Sequence, residues 1–339
     1  MKIKVGLNGF GRIGRAMLRM SEMSNEYNFE VVAINARADV DTLVHLFKYD
    51  SSYGTFPGEV EGIDDNTLSI NGREIAITRC DKPCEIPWEK LGVELVIEST
   101  GKFKNREDAS GHIESGAKKV VITCPAKNED LTVVLGVNDD EYDPRIHNIV
   151  SNASCTTNCL APVAKVLDDK FGIEKGMMTT VHAYTNDQQV LDKTHKDLRR
   201  SRACGSSIIP TTTGAAKAVS LVLPQLKGKL NGFSLRVPTQ TVSIVDLVVS
   251  LNKKDVTVEE INQALKEASE NDMKGILGYS DEPLVSVDYK GDSRSSIVDG
   301  LSTMVMEDGM VKVLSWYDNE WGYATRACDL VNMMCEKIA

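Results

Sequence analysis

Short apolar runs alternate with helical patterns along the first 150 residues. Residues 2–8 and 30–35 are apolar runs of strand length, and residues 15–20 between them place apolar side chains at helical spacing. Two further apolar runs, at 95–98 and 120–123, are separated by a helix-like stretch. Strands that alternate with helices in this way predict a doubly wound α/β domain with a parallel sheet.

The second half of the chain has a different pattern, with longer strand-like runs that are rich in β-branched residues. The predicted elements, in chain order, are a helix at 159–167, a strand at 176–184, a helix opened by 211–217, a strand beginning at 236–238, a strand at 242–252, a helix at 256–271, a strand at 310–317 and a helix at 321–338. Long strands with fewer helices between them favour a large sheet in a second domain.

Cys155 lies on a polar turn directly before the first of these helices. Residues 151–158 read SNASCTTN, and serine, threonine or asparagine before an apolar-periodic run marks a helix start. A helix N-terminus favours an anion, so this thiol is expected to ionise more readily than a free one and to act as a nucleophile. Free cysteines are mostly structural, and Cys159, one turn later, is expected to pack in the core.

A glycine-rich turn follows the first predicted strand. Gly9, Gly11 and Gly14 form the pattern G-x-G-x-x-G between that strand and a helix. In this context the first glycine allows a tight turn, the second a close approach to a pyrophosphate, and the third close packing of helix on strand. The motif predicts a dinucleotide site. The alternative is that the glycines serve only the turn.

The end of the second strand indicates which dinucleotide is bound. An NAD site has a carboxylate there for the ribose hydroxyls, whereas the 2′-phosphate of NADP requires its absence and a nearby cation. This strand ends Asn35-Ala36-Arg37, and Arg37 is suited to pair with a phosphate. Asp39 and Asp41 are expected to belong to the next helix. The sequence therefore favours NADP, unless Arg37 is only a solvated cation.

Candidate partners for Cys155 lie further along the chain. His182 is near the end of the predicted strand at 176–184, and a nucleophilic thiol needs a base of this kind. Residues 197–202 hold three arginines in four positions, which is typical either of an anion site or of a surface salt-bridge network. The hydroxyls of residues 211–213 precede a predicted helix, and such helix N-termini bind phosphate well.

Composition narrows the classes of function. The 339 residues carry a formal net charge of −10, which argues against a nucleic-acid or anionic-membrane surface but still allows a phosphorylated substrate at local arginines. No apolar run approaches the length of a membrane span, and no signal peptide is expected. The spacings of the eight cysteines match no common zinc site, so we expect no metal and a reducing, cytoplasmic location.

Five separated motifs together resemble one enzyme family. They are NGFGRIGR (8–15), SNASCTTN (151–158), HAYTNDQ (182–188), TGAAK (213–217) and WYDNEW (316–321). In this order they resemble phosphorylating glyceraldehyde-3-phosphate dehydrogenase, essentially end to end. The resemblance implies a doubly wound Rossmann domain and an α+β catalytic domain with a large, mostly antiparallel sheet. Their implied ranges are 1–154, completed by a C-terminal helix at 320–339, and 155–319. The family is tetrameric, so a homotetramer is expected.

The resemblance also implies the chemistry. Cys155 attacks the aldehyde of D-glyceraldehyde 3-phosphate, His182 acts as the base, hydride passes to NADP or NAD, and inorganic phosphate releases 1,3-bisphosphoglycerate from the thioester. The residues that match the family's substrate and phosphate ligands are Ser154, Thr156, Thr185, Arg200, Thr213, Gly214 and Arg236. Those that match its cofactor contacts are Arg12, Ile13, Arg79, Thr123 and Asn319. Whether Arg199 or Arg200 points inward stays open.

Two departures from the NAD-specific pattern bear on the cofactor. NAD-specific members have an aspartate where Ala36 stands and a proline where Thr194 stands. Both changes resemble forms that accept NADP, with Thr194 reaching the 2′-phosphate from a neighbouring subunit. NADP, or both cofactors, is therefore expected, in glycolysis or in gluconeogenesis.

Three alternative functions account less well for these residues. Erythrose-4-phosphate dehydrogenase shares the cysteine motif, but it replaces Thr185, Thr213 and Gly214, which this chain keeps. A non-phosphorylating aldehyde dehydrogenase has a different fold and lacks these motifs. A catalytically inactive binding protein is disfavoured because Cys155 and His182 are both present, and the negative net charge disfavours nucleic acid as its partner.

Overall fold

The chain folds into two compact units. The computed structural model describes residues 2–338, so Met1 and Ala339, at the ends of the predicted domain ranges, lie outside the described residues. The units divide as follows: unit 1 holds residues 2–133, 140–153 and 324–338, and unit 2 holds residues 134–139 and 154–323. Within residues 2–338, every helix is too short or too polar to span a lipid bilayer.

Unit 1 is built on a nine-stranded sheet, with a separate small hairpin formed by β3 and β4. The strands are β1 (Ile3–Asn8), β2 (Phe29–Asn35), β3 (Tyr49–Asp50), β4 (Gly54–Thr55), β5 (Val60–Asp64), β6 (Thr67–Ile70), β7 (Arg73–Thr78), β8 (Leu95–Glu98), β9 (Lys119–Ile122), β10 (Leu131–Thr132) and β11 (Ile149–Ser151). The α-helices are α1 (Arg12–Met23), α2 (Val40–Lys48) and α3 (Arg106–Glu114). The sheet order is β10-β11-β9-β8-β1-β2-β7-β6-β5. All neighbours from β10 to β7 are parallel, and only the edge hairpins β7-β6-β5 are antiparallel.

The central strands of unit 1 are buried on both faces. Val5 and Leu7 of β1, Val96 of β8 and Val120 of β9 have no exposed surface. Strands of a parallel sheet that is covered on both sides read as continuous apolar runs, which is why the sequence pattern identified them. β1 leads into α1 through Gly9, whose φ of 98° lies in the left-handed region that favours glycine.

Unit 2 is built on a seven-stranded sheet. Its strands are β12 (Ile173–Ala183), β13 (Ile209–Thr211), β14 (Leu230–Val237), β15 (Ser243–Leu251), β16 (Leu277–Ser280), β17 (Ser296–Met306) and β18 (Met310–Tyr317). The order is β13-β14-β12-β15-β18-β17-β16, and only the pairs β12–β14 and β16–β17 are parallel. The predicted fold class, a doubly wound α/β domain plus an α+β domain with a mostly antiparallel sheet, is confirmed.

One face of this sheet is covered by helices. They are α4 (Cys155–Phe171), α5 (Ala215–Val222) and α6 (Val258–Glu270). The last helix of the chain, α7 (Trp321–Ile338), belongs mostly to unit 1. Leu160 and Leu167 of α4 are fully buried, and α4 packs on β12, β15, β17 and β18. This packing fixes the N-terminus of α4, and therefore Cys155, relative to the strands that carry the other candidate residues.

The structure corrects one predicted strand and adds others. Arg236 and Val237 end β14 rather than beginning a strand, because Pro238 follows and has no N–H to continue the ladder. The hairpins β5–β7 and the strand β17 were not predicted. β5 is almost wholly exposed, so its sequence shows no apolar run by which it could be recognised.

Candidate active site

Cys155 is the first residue of α4. Ser154 caps this helix, since the Thr157 N–H donates to Ser154 Oγ at 3.0 Å. The local rule that predicted the helix start therefore holds in the structure. Cys159, one turn later, is buried, and its sulfur contacts Ser296 and the Ser315 carbonyl, so it packs in the core.

His182 lies beside the Cys155 thiol. Its Nε2 is 3.5 Å from Cys155 Sγ, and its Nδ1 is 2.7 Å from the carbonyl oxygen of Ala183, near the end of β12. Arg236 Nη1, which can only donate, lies 2.6 Å from the same Nδ1, so a proton on Nδ1 cannot serve both contacts. When that proton is donated to the Ala183 carbonyl, the Nε2 lone pair faces the sulfur. This is the tautomer that a base acting on the thiol needs.

Burial controls the ionisation of this pair. It lowers the pKa of His182 to about 3, and the positive charge of Arg236 acts in the same direction. Burial also raises the pKa of the Cys155 thiol above its ordinary value, although Arg236 and hydrogen bonds from Thr156 oppose that shift. These shifts favour a neutral thiol facing a neutral imidazole, whereas the helix start alone favours the readily ionised thiol that the sequence predicts.

Arg236 lies next to His182 because β12 and β14 pair in parallel with these two residues in register. Arg236 Nη1 is 2.6 Å from His182 Nδ1 and 3.1 Å from the Ala183 carbonyl oxygen. Its Nε is buried and has no hydrogen-bond partner among the described residues. A buried guanidinium with an unused donor is suited to bind an anion.

Tyr317, at the end of β18, was not singled out from the sequence. Its hydroxyl is 2.9 Å from both Thr156 Oγ1 and Thr180 Oγ1, and its ring meets the His182 ring edge-on at 5.9 Å between centroids. Burial raises the pKa of Tyr317 well above its ordinary value, so the hydroxyl keeps its proton. Its position inside the motif WYDNEW is the signal that could have identified it.

The two candidate arginines differ in their surroundings. Arg200 is largely buried, donates to Thr211 Oγ1 at 2.8 Å and forms an ion pair with Asp187. Arg199 is exposed and lines a cavity of about 700 Å³ together with Thr213 and Gly214. Asp197 Oδ2 is a second acidic neighbour, 3.6 Å from Arg200 Nε, and Asp187 was not among the predicted site residues.

Thr185 begins the loop that follows β12. Its backbone N–H donates to Gln188 Oε1 at 3.2 Å, which holds the start of the loop in a turn. Thr213 lies before α5, and its Oγ1 accepts from the Ala215 N–H at 3.2 Å. Both threonines are thus fixed by local hydrogen bonds, but neither is among the residues that contact Cys155 or His182 directly.

The glycine motif of unit 1 forms the turn that a dinucleotide requires. A Cβ on Gly14 would lie 2.5 Å from the Gly9 carbonyl oxygen, and a Cβ on Gly9 would lie 2.9 Å from the Thr100 nitrogen. Gly11 faces open space at the N-terminus of α1 and provides no side-chain cap. Uncapped N–H groups with room above them fit a pyrophosphate, so the residues present fit a nicotinamide dinucleotide.

A cavity of about 290 Å³ lies at the ends of β1 and β2. It is lined by Gly9, Asn35, Ala36 and Arg37, among others. Arg37 is not a free cation, because its Nη2 is 2.5 Å from Asp81 Oδ1 in an exposed ion pair. Such exposed pairs are weak, so a phosphate in the cavity can compete for this guanidinium. Asp39 caps α2 and Asp41 lies in its first turn, so both belong to this helix, as predicted.

The other predicted cofactor residues differ in their contacts and exposure. Arg12, followed by Ile13 in the first turn of α1, forms an ion pair with Asp50 at 2.5 Å, and Thr123 at the end of β9 donates to the Glu98 carbonyl at 3.2 Å. Arg79 is exposed and donates to Asn66 of the edge hairpin, and it directly precedes Cys80, which lines the cavity. In unit 2, Thr194 is exposed on the long loop, and Asn319 is buried against Ser243.

Comparisons with known proteins identify the family of this chain. The family described as "Glyceraldehyde 3-phosphate dehydrogenase, NAD binding domain" matches residues 3–106, and the corresponding C-terminal domain family matches residues 154–319. Glyceraldehyde-3-phosphate dehydrogenase of Priestia megaterium and glyceraldehyde-3-phosphate dehydrogenase 1 of Bacillus subtilis are each 60% identical over 337 residues, covering 99% of both chains. The Arabidopsis thaliana protein named glyceraldehyde-3-phosphate dehydrogenase GAPB, chloroplastic, is 54% identical over 337 residues, covering 99% of this chain and 75% of the relative. The chain belongs to the glyceraldehyde-3-phosphate dehydrogenase family.

Proposed function

We propose that the protein catalyses the phosphorylating oxidation of D-glyceraldehyde 3-phosphate to 1,3-bisphosphoglycerate, and the reverse reaction, with NADP or NAD. The observation that carries this proposal is the contact between Cys155 and His182. Cys155 Sγ, at the N-terminus of α4, lies 3.5 Å from Nε2 of His182, whose lowered pKa favours its neutral form. A thiol, a base and an anion-binding arginine in contact are the parts that nucleophilic attack on a phosphorylated aldehyde needs.

The first step is attack of the Cys155 sulfur on the aldehyde carbon. His182 Nε2 takes the thiol proton as the C–S bond forms, and the Cys155 N–H at the start of α4 donates to the developing oxyanion. The proton then passes from His182 to that oxygen, which gives a neutral thiohemiacetal on Cys155. His182 is left neutral and ready for the next proton.

The second step converts the thiohemiacetal into a thioester. His182 takes the hydroxyl proton as the carbon loses a hydrogen with its electron pair. When bound, the nicotinamide accepts that hydrogen and the two electrons. Inorganic phosphate then attacks the thioester carbonyl, the C–S bond breaks, and the Cys155 thiolate recovers its proton from His182. Every proton transfer thus uses the one nitrogen that faces the sulfur.

Seven residues are proposed to hold the phosphate of the substrate and the inorganic phosphate. They are Ser154, Thr156, Thr185, Arg200, Thr213, Gly214 and Arg236. The unused buried Nε of Arg236 supports this assignment most directly, because an anion would supply the missing partner. For Arg200, the support is its buried position beside Thr211 and Asp187.

NADP is the proposed preferred cofactor, with NAD as an accepted second. Ala36 supplies no carboxylate for the ribose hydroxyls, and Arg37 and Lys102 bring two cations to the same cavity against the one acid, Asp81. Residues 1–154 with 320–339 would form the cofactor domain and 155–319 the catalytic domain. Thr194 is proposed to act on the cofactor of a neighbouring subunit in a homotetramer.

The first experiment measures kcat/KM for glyceraldehyde 3-phosphate oxidation with NADP and with NAD, each with and without inorganic phosphate. Phosphate-dependent turnover is expected with both cofactors, and the higher kcat/KM with NADP. The Ala36→Asp variant should lower the NADP/NAD ratio by about tenfold or more, since a carboxylate there repels the 2′-phosphate and serves the ribose.

Two results would contradict the proposal in different ways. Turnover that needs no phosphate would show that water, rather than phosphate, releases the product from the acyl-enzyme. That result would favour the erythrose-4-phosphate dehydrogenase alternative. A strong NAD preference that Ala36→Asp leaves unchanged would mean that Ala36 and Arg37 do not select the cofactor. Asp246→Ala, on the outward face of β15, is a control that should keep the wild-type ratio.

A further inference from the structure

The Ser243 hydroxyl joins the catalytic strand to Asn319. Ser243 begins β15 and is 1% exposed. The Ala183 N–H donates to Ser243 Oγ at 3.0 Å, and Ser243 Oγ donates to Asn319 Oδ1 at 2.9 Å. His182 Nδ1 lies 2.7 Å from the carbonyl oxygen of the same Ala183. A short chain of hydrogen bonds therefore runs from the base to the Asn319 amide.

The hydrogen bonds of Ser243 decide how the Asn319 amide is oriented. A hydroxyl has one proton and two lone pairs, and the Ala183 N–H uses a lone pair. The proton needs an acceptor because the group is buried, and Asn319 Oδ1 is the only acceptor for it among residues 2–338. If the amide were reversed, that buried proton would have no partner. Oδ1 therefore faces Ser243, and Nδ2 is left for another group.

Neighbouring hydrogen bonds hold the backbone at Asn319. The carboxylate of Asp318 is 1% exposed and accepts from the Trp321 N–H at 2.9 Å, from Thr241 Oγ1 at 3.0 Å and from the Gly291 N–H at 2.9 Å. With the backbone fixed on both sides, the remaining freedom of Asn319 is the rotation of its amide. Ser243 controls that rotation.

We propose that Ser243 is a positioning residue for the cofactor: it fixes the Asn319 amide so that Nδ2 can donate to the carboxamide oxygen of the nicotinamide. The inference rests on the proposed function and on the resemblance to glyceraldehyde-3-phosphate dehydrogenase, which implies that Asn319 holds the nicotinamide amide. It adds which atom of Asn319 is used, and it names the residue that selects the atom. Because Ser243 also accepts from the Ala183 N–H, the same hydroxyl fixes the position of the Asn319 amide relative to the strand that carries His182.

The test measures dissociation constants by isothermal titration calorimetry for the cofactor and for a fragment that lacks the nicotinamide ring. The pairs are NAD with ADP-ribose and NADP with 2′-phospho-ADP-ribose. Ser243→Ala should weaken binding of the full cofactor by about fivefold, the net effect of one hydrogen bond, and leave the fragment unchanged. Equal weakening of cofactor and fragment would overturn the proposal, because it would indicate a general structural defect.

Two further variants separate positioning from folding. Ser243→Cys keeps the shape but is a weak donor, so it should show the same split between cofactor and fragment, and it decides the question if Ser243→Ala does not fold. In an Asn319→Ala background, Ser243→Ala should have no further effect on cofactor binding. An additive effect there would overturn the proposal. Ser296→Ala, which removes another buried hydroxyl of the same sheet, is the matched control and should bind both ligands like wild type.

A cofactor analogue tests the orientation of the amide directly. The 3-acetylpyridine analogue keeps the carbonyl oxygen but has no amide N–H, so wild type should bind it about as tightly as NAD, within roughly twofold, if Asn319 donates. A large loss of affinity in wild type would mean that Asn319 accepts through Oδ1, contrary to the proposal. Failure of the proposed function would look different, since wild type would then bind no nicotinamide dinucleotide or show no phosphate-dependent oxidation.

Discussion

At the scale of single residues, the site works with neutral groups. His182 is 4% exposed and lies beside the charged Arg236, so its protonated form is disfavoured and its pKa falls to about 3. Cys155 is likewise held as a thiol because burial raises its pKa. In the proposed reaction the proton would leave the thiol only as the sulfur attacks, which would limit unwanted reactions of a free thiolate.

The lowered pKa of His182 makes stability depend on pH. An unfolded histidine binds a proton below about pH 6.5, whereas His182 in the folded protein does not until about pH 3. Stability contributed by this neutral histidine is therefore present above pH 6.5 and is lost as the pH falls toward 3. Between pH 7.5 and 5.5, wild type should lose about 1 kcal/mol more unfolding free energy than His182→Gln, which cannot titrate. Urea titrations at matched protein concentration measure this, and equal losses in both proteins would contradict it.

The charge of Arg236 should tune the reactivity of Cys155. Because that charge opposes the rise in the thiol pKa, Arg236→Gln should raise the pKa of Cys155 further and slow its alkylation by iodoacetamide several-fold near neutral pH. The rate is followed by mass spectrometry of the Cys155 peptide across a pH series. Arg145→Gln changes an exposed arginine of unit 1 that pairs with Asp143, so it should leave the rate unaltered. An unchanged pH profile in Arg236→Gln would mean that the guanidinium does not act on the thiol.

Sequence patterns identify some of these residues and miss others for a physical reason. Cys155 and Ser154 were predicted because a capped helix start is a local signal. The 3.5 Å contact of Cys155 with His182 depends on the packing of α4 against β12, which no local pattern encodes. Ser243 and Asp187 were missed because a lone serine or aspartate becomes significant only through its partners in space.

At the scale of elements, buried polar side chains tie together the strand ends beneath the cavity of unit 1. Asn8 of β1 donates to Glu98 of β8 at 2.6 Å, and Asn35 of β2 donates to Asn8 at 2.8 Å. His112 of α3 contacts Glu98 at 3.1 Å and accepts from Trp88 Nε1 at 2.9 Å, so its Nε2 carries the proton that Glu98 accepts. A fully paired network of this kind fixes the relative positions of three strands.

Removing His112 should therefore destabilise unit 1. His112→Leu leaves the buried Trp88 N–H without its acceptor and the Glu98 carboxylate with one donor fewer, at a cost of about 3 kcal/mol. Chemical denaturation measures the loss, and Trp88 emission reports the changed surroundings of the indole. The control His45→Leu changes an exposed histidine of α2 and should stay within about 0.5 kcal/mol of wild type. Equal stability of the two variants would show that the network contributes little.

The elements differ in how far the sequence predicts them. β1, β2, β8 and β9 are predicted because strands buried on both faces read as apolar runs. β5 has four exposed residues out of five, so no pattern marks it. The residues around Arg236 are compatible with the start or with the end of a strand. Only the pairing of β14 with β12 shows that the strand ends there.

At the scale of the whole molecule, the outward face of the unit 2 sheet carries several exposed apolar side chains. Met177, Phe233, Met304, Met306 and Met310 alternate with buried residues on paired strands, and each is 43% to 66% exposed. Helices α4, α5 and α6 cover the opposite face. Exposed apolar side chains on one sheet face, here with the Lys312–Asp246 ion pair among them, are common at subunit interfaces, which supports the proposed homotetramer.

A charge placed on this face should separate the subunits. Met304→Glu puts a carboxylate among apolar side chains that the proposed assembly would bury. Burying an unpaired charge costs on the order of several kcal/mol per copy. Sedimentation velocity should show four-chain particles for wild type and smaller ones for the variant. Met23→Glu is a matched control, since Met23 is exposed to a similar extent, 55% against 59%, but lies at the end of α1 in unit 1. If Met304→Glu sediments like wild type and Met23→Glu does not, the interface lies elsewhere and the outward sheet face is not what joins the copies.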